Sequence, residues 1–214
     1  MLSIACLSQK GGVGKSTLAR LMATAYAHAG YKVKILDFNV KQTTSVDWAA
    51  RRMAAGITPS VPAQPFSQLT QAVRDVGDAN MVVFDGKPDA DKTALEIAKY
   101  ATMVLVPVGV TLDDLLPQAR FAKELINGGV DKKRILFALN QVTDSALAIS
   151  EARDFVTGQG YALAATDIPV RPAYQAAQNA GRAISETTFK TLNERAEALA
   201  ADIVEALQAL EARA

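Results

Sequence analysis

The sequence predicts an α/β domain with a mostly parallel sheet flanked by helices on both faces. Three observations carry this. Short apolar runs alternate with segments of helical periodicity along the chain. Several runs are apolar throughout, as parallel strands buried on two faces must be. The first run passes through a glycine-rich loop directly into a helix-period segment.

The first strand is Leu2–Ser8, and its Cys6 reads as a buried thiol. After the loop, Leu18, Leu21, Met22, Ala25, Tyr26 and Ala29 fall at helical spacing, with Gly30 as the C-terminal stop. Further strands are expected at Lys32–Asp37, Met81–Asp85, Thr102–Val108 and Arg134–Asn140, with a weaker one at Tyr161–Ala164. Helices are expected at Ser45–Ala55, Phe66–Val76, Ala90–Tyr100, Pro117–Ile126 and Ser145–Thr157, and from about Thr188 to the end. The proline-rich ITPSVPAQP reads as a loop or an edge strand. No repeat, linker or low-complexity tract divides the chain, so one domain over residues 1–214 is expected.

Half of the 214 residues are hydrophobic, 21% are charged, and the formal net charge is +1. Such a balance suits a soluble domain and gives no global field toward nucleic acid or lipid, so any such binding needs a local patch. One cysteine excludes a disulfide framework and, by itself, a zinc or iron–sulfur site. A reducing cytoplasm fits. The first apolar stretch runs into glycines and lysines, unlike a secretory leader, and no run approaches the roughly 18 apolar residues of a membrane span.

Residues 10–17 read KGGVGKST. Between a strand and a helix, Gly11, Gly12, Val13 and Gly14 form a phosphate-binding loop, because glycines let backbone N–H groups approach phosphate oxygens at a helix start. Lys15 would bridge the β- and γ-phosphates of ATP, Ser16 would place its hydroxyl on Mg²⁺, and Thr17 would reach the α-phosphate. A loop of this kind needs one lysine, and this one has a second, Lys10.

The spacing of both lysines resembles the deviant Walker A motif of the ParA/MinD superfamily. ILDFNVKQ, VVFDGKP, VLVPVGVTLDDL and IPVRPAYQAAQNAG resemble further family segments, so the likeness covers most of the chain. It implies that Lys10 reaches across a two-fold interface to the partner subunit's phosphates in an ATP-dependent homodimer. The alternative is a solvated lysine beside the loop. Asp37 and Asp85 would hold Mg²⁺ through its waters, or simply end their strands as polar residues.

The chain departs from the family at its switch. Asn39 stands where the resemblance implies an aspartate that positions the attacking water, and an amide can accept a hydrogen bond but takes no proton. ATP binding is therefore expected to be intact and hydrolysis slow. The usual proline is Val40 and the usual glutamine is Lys41, with Gln42 one position on. Lys87, also unusual, would pair with Asp89 or Asp91 or sit near the phosphates. Asn140 ends an apolar strand where the family presents an amide to adenine, or else it caps a turn. Backbone groups of Pro169–Arg171 would lie beside the base.

ParA-like proteins bind DNA without sequence preference, through lysines and arginines that neutralise phosphates. Arg171, Arg182, Lys190 and Arg195 are candidates here, with a second cluster at Lys132, Lys133 and Arg134. Glu186, Glu194 and Glu197 interleave with the first set, so the alternative is a solvated mixed-charge face. MinD-like relatives use a basic C-terminal helix on the membrane. In this chain Leu199, Ile203, Leu207 and Leu210 form the apolar stripe, and the polar residues are mostly acidic with Arg213 late, so the helix is expected to pack on the domain. His28 is expected at or near the surface. Trp48, with Arg51 and Arg52, belongs to the core or to a partner surface.

The expectation is a ParA-like ATPase that binds MgATP, dimerises, coats non-specific double-stranded DNA near the nucleoid, and positions a plasmid, chromosome region or protein assembly with a ParB-like adaptor. The chain is too short for an added helix-turn-helix domain. Alternatives are a nucleotide-dependent scaffold with negligible turnover, a MinD-like membrane-surface ATPase, and a metabolic relative such as an amide-forming synthetase.

Overall fold

The computed structural model describes residues 1–88 and 92–212. Strands β1 (Leu2–Ser8), β2 (Val33–Asp37), β3 (Ala63–Pro65), β4 (Met81–Pro88), β5 (Met103–Val108), β6 (Ile135–Val142) and β7 (Ala162–Leu163) form a sheet in the order β3-β2-β4-β1-β5-β6-β7. Every pairing is parallel, and a short β8 (Ile168–Pro169) joins β6. Helices are α1 (Lys15–His28), α2 (Thr44–Ala54), α3 (Leu69–Arg74), α4 (Lys92–Tyr100), α5 (Leu112–Asn127), α6 (Ala146–Gly158), α7 (Pro172–Asn179) and α8 (Lys190–Glu211).

Strand alternation divides the core into two layers. Ile4 and Cys6 join the layer beneath α1, α2, α7 and α8, whereas Ala5 and Leu7 join the layer beneath α3, α4, α5 and α6. Met81 and Val83 face the first layer, and Val82 and Phe84 the second. Both faces of the central strands are therefore covered, which is why those strands are apolar throughout.

The α/β class and every expected strand are present. ITPSVPAQP supplies the edge strand β3, where Pro65 costs no ladder bond. Gly30 takes φ 86° just past α1, where a left-handed residue closes the helix. Among the differences, β4 continues beyond Asp85 to Pro88. Its Gly86 lies so close to β1 that a Cβ would come within 3.0 Å of the Cys6 carbonyl oxygen. Helix α3 is shorter than expected. Helix α5 begins five residues before Pro117, at Leu112, so that proline lies inside the helix. Leu199, Ile203 and Leu207 are buried and Leu210 packs against the same layer, so α8 belongs to the core as expected. Asp89, Asp91 and Arg213 lie outside the described residues. No helix among the described residues is long and apolar enough to cross a membrane.

Candidate functional site

In an open parallel sheet, ligands bind beyond the carboxyl ends of the strands where the order reverses. β1 sits at that reversal between β4 and β5, and its carboxyl end leads into residues 9–14. A cleft of about 360 Å³ opens there, lined by Gly11, Gly12, Gly14, Lys15, Ser16, Thr17, Arg20, Asn39, Gln42, Thr44, Gly86, Pro88 and Gln141.

Gly12 and Gly14 have φ 78° and 99°, which residues with a Cβ rarely adopt. At Gly14 a Cβ would also lie 1.9 Å from Asn140 Nδ2, so two constraints require glycine. Lys15 is nearly buried, and its Nζ donates to the Lys10 carbonyl at 2.9 Å. Burial lowers its pKa, while Asp85 acts in the opposite direction.

Asp37, at the end of β2, and Asp85, within β4, are direct register partners. Asp37 accepts from the Asn39 and Ser45 N–H groups, each at 2.9 Å, and Asp85 accepts from Ser45 Oγ at 2.6 Å. Burial, then the neighbouring Asp37, pushes Asp85 up to about 6, against hydrogen bonds from Ser45 and Ser16. Burial likewise raises Asp37. Two buried carboxyls pressing on each other beside a serine hydroxyl fit Mg²⁺ chemistry, since a hard cation relieves their repulsion. No cluster of three or more His, Cys, Asp or Glu side chains among the described residues could hold a metal. Such an ion would thus depend on phosphate oxygens for much of its coordination.

Lys10 takes a different direction from Lys15. Its Nζ lies 2.5 Å from Asp114 Oδ1 and 3.2 Å from the Asp113 carbonyl, both at the start of α5. The same helix supports the loop through Gln118 Nε2, which donates to Ser8 Oγ. Ser8 Oγ in turn accepts the Lys10 N–H at 3.0 Å. Asp114 and Gln118 are four residues apart, hence on one helix face.

A second cleft of about 110 Å³ adjoins the first, lined by Thr17, Asn140, Gln141, Pro169, Val170, Arg171, Tyr174, Gln175 and Gln178 among others. Asn140, Pro169 and Arg171 therefore come together beside Thr17. Asn140 is buried, and its Nδ2 donates to the Val13 carbonyl at 2.8 Å, clamping the phosphate loop from behind. Its Oδ1 has no hydrogen-bond partner in the structure.

Arg20, Gln178, Ser45, Asp114 and Gln141 were not singled out from the sequence. Arg20 is nearly buried and donates to the Thr44 carbonyl at 2.6 Å, Ser45 Oγ at 3.3 Å and Gln178 Oε1 at 3.2 Å. It thus ties α1 to the start of α2 and to α7. An arginine amid the apolar residues of a core-facing helix was the available signal. Gln141, with φ 57°, lines both clefts, and no sequence pattern announced it.

The basic candidates are scattered and mostly engaged. Arg171 pairs with Asp144 at 2.6 Å, Lys190 with Glu194 at 3.6 Å, and Arg195 with Asp167. Arg182 is exposed. In the second cluster, Arg134 donates to the carbonyls of Ala98, Lys99, Ala101 and Thr102, closing α4. Lys132 stands 4.8 Å over the Tyr161 ring. Trp48 is fully buried between Arg20 and Arg52, and Arg52 pairs with Glu186. Exposed His28 lies 3.3 Å from the same Glu186.

Comparison with known proteins agrees with this geometry. Among solved structures, the MinD cell division protein of Aquifex aeolicus superposes with a TM-score of 0.74 at 17% identity, covering 96% of this chain and 98% of that one. MinD complexed with Mg-ADP from Pyrococcus horikoshii gives 0.70 at 17%, covering 94% and 95%. An ATP complex of McdA from Cyanothece gives 0.69 at 15%, covering 95% and 96%. A maintenance of carboxysome distribution protein A from Gloeobacter kilaueensis is 33% identical over 103 residues, 48% of this chain. The matched stretch spans about half that relative's length, 46%. The CobQ/CobB/MinD/ParA nucleotide-binding domain model matches residues 4–202. With the phosphate loop, the paired carboxyls and the second lysine in place, the chain belongs to that family.

Proposed function

We propose that the protein is an ATPase that dimerises with MgATP and positions cargo on non-specific double-stranded DNA, with an adaptor protein triggering release. The observation that carries this is the divergence of the two lysines. Lys15 turns inward beneath the loop, whereas Lys10 keeps a side chain 40% exposed at the rim, held by the start of α5. A rim cation beside the phosphate cleft can serve a second subunit facing it across a two-fold axis. Gly11, Gly12, Val13 and Gly14 offer backbone to the phosphates, Lys15 neutralises them, and Ser16, Asp37 and Asp85 would hold Mg²⁺. The ion would supply charge neutralisation on the phosphoryl oxygens. Asn140, Pro169 and Arg171 would enclose the base. Asn39 in place of an aspartate favours slow hydrolysis.

Cargo positioning draws support from the carboxysome distribution relative. DNA contact would fall to Arg182 and to Arg171, Lys190 and Arg195, whose carboxylate partners must yield to phosphate. The burial of the α8 stripe counts against a MinD-like membrane helix. A scaffold with negligible turnover is the second reading, motivated by Asn39. Retention on non-specific duplex DNA with ATP, ADP or no nucleotide, at two salt concentrations, tests the proposal. Binding that needs ATP and weakens steeply with salt supports it. Absence of binding in every condition removes the DNA-carrier role and leaves the scaffold.

A further inference from the structure

The segment between β2 and α2 carries a pair of side-chain amides, one of them at the position where the resemblance implies a carboxylate. Asn39 Nδ2 donates to Gln42 Oε1 at 2.9 Å. The backbone closes the same turn, since the N–H groups of Gln42 and Thr43 reach the Asn39 carbonyl at 3.0 and 2.8 Å. One end is pinned by the Asn39 N–H on Asp37 Oδ1 at 2.9 Å, and the other by Thr43 at φ 45°. Both amides line the phosphate cleft with Lys15 and Ser16, Asn39 half-buried and Gln42 exposed, whereas the equally exposed Val40 and Lys41 lie outside that lining. The turn thus returns a glutamine to the cleft one position later than the family pattern has it.

We propose that Gln42 is a positioning residue for ATP hydrolysis, and that Asn39 and Gln42 act as one unit on the attacking water. The inference rests on the ATPase reading above. Two amides sharing one N–H···O bond keep a free amide oxygen and free N–H groups. The oxygen accepts from the water, and an N–H donates to a γ-phosphoryl oxygen. The water oxygen then bonds to the γ-phosphorus. The bond from that phosphorus to the β,γ-bridging oxygen breaks, and its electron pair leaves with ADP. The water's proton passes to a γ-phosphoryl oxygen and departs with inorganic phosphate, so neither amide is protonated. Positioning and electrostatics carry most of phosphoryl transfer, which makes a neutral pair sufficient for slow turnover. Without Gln42, the Asn39 amide is free to rotate about its broad terminal torsion.

The test compares the unaltered protein with Asn39→Ala, Gln42→Ala and the double variant, reading the Kd for a fluorescent ATP analogue and the single-turnover rate of ATP hydrolysis. Each single change is expected to slow hydrolysis roughly 10- to 100-fold. Nucleotide Kd should move less than about threefold, which separates positioning from a merely structural role. The double variant should be no slower than the slower single variant, because the pair fails as a unit. A Gln42→Ala variant at the unaltered rate overturns the proposal. So do independent, multiplicative losses, or a rate loss matched by an equal loss of affinity. Unaltered protein that binds MgATP without hydrolysing it also contradicts the proposal, whereas failure to bind MgATP contradicts the ATPase reading itself.

Discussion

Lys10 Nζ shares the start of α5 between Asp114 Oδ1 at 2.5 Å and the Asp113 carbonyl at 3.2 Å. That carbonyl is open because Pro117, four residues on, has no N–H to donate to it. A proline inside α5 thus creates half of the docking site for Lys10. Burial alone would raise the Asp114 carboxyl, but Lys10 and Thr111 outweigh it and hold it below its ordinary value. For Lys10 to reach a second subunit, this contact must break.

Asp114→Asn removes the charge while keeping an oxygen for Thr111, which bonds to Asp114 Oδ2 at 2.7 Å. A part-exposed ion pair is worth up to about 1 kcal/mol. Two such contacts break in each two-fold dimer, so ATP-dependent dimerisation should strengthen by up to about thirtyfold. Sedimentation over a protein dilution series measures it, and a weaker dimer would show that Asp114 supports Lys10 in the dimer instead of restraining it.

Asp85 predicts an inverted pH dependence of stability. Its ordinary value is 3.8, and burial followed by Asp37 pushes it up to about 6 in the folded protein. Between those values the folded state binds more protons than the unfolded chain, so this group's penalty is absent below the window and complete above it. Urea unfolding should show the Asp85 contribution declining as pH rises through the window. Asp85→Asn should stabilise the protein at neutral pH by about 1–3 kcal/mol. The same change should abolish the extra stabilisation by MgATP over ATP with chelator. In the unaltered protein that increment should shrink below about pH 6, where Asp85 holds a proton.

Asn39→Asp restores a carboxylate beside Gln42. Single-turnover hydrolysis should rise by about 10- to 100-fold, a gain of roughly 1.4–2.7 kcal/mol of barrier lowering. An unchanged rate where chemistry limits turnover would remove Asn39 as the cause of slow hydrolysis.

Glu186 holds Arg52 at 2.6 and 2.9 Å, and the Arg52 side chain is 1% exposed. Glu186→Ala strands a buried cation and should cost about 3–5 kcal/mol in chemical denaturation. A loss under about 1 kcal/mol would mean that the Gly181 and Pro59 carbonyls suffice for Arg52.

The strand–loop–helix unit around residues 10–17 was legible because its requirements are local: positive φ at glycine, donors at a helix start, a lysine within reach. Parallel strands were legible because they are apolar throughout. What escaped depends on distant partners. Trp48, Arg51 and Arg52 read as one amphipathic turn, yet Arg52 is buried because Glu186 comes from 134 residues away. Pro117 read as a helix start, since nothing local shows that a lysine from residue 10 takes the carbonyl it leaves open. Asn140 read as a base contact or a turn cap, and its amide N–H holds Val13, 127 residues back. Gln42 read as one position late, and the turn after β2, which only the folded chain shows, brings it to the cleft lining.

The most direct test is sedimentation of the unaltered protein and Lys10→Ala with MgATP, beside nucleotide affinity for each. A two-fold ATP dimer predicts that the unaltered protein doubles in mass only with ATP. Lys10→Ala should keep its affinity within about threefold, because Lys15 and the loop remain, and should stay monomeric. A Lys10→Ala protein that dimerises with ATP as the unaltered chain does would contradict the role assigned to the second lysine.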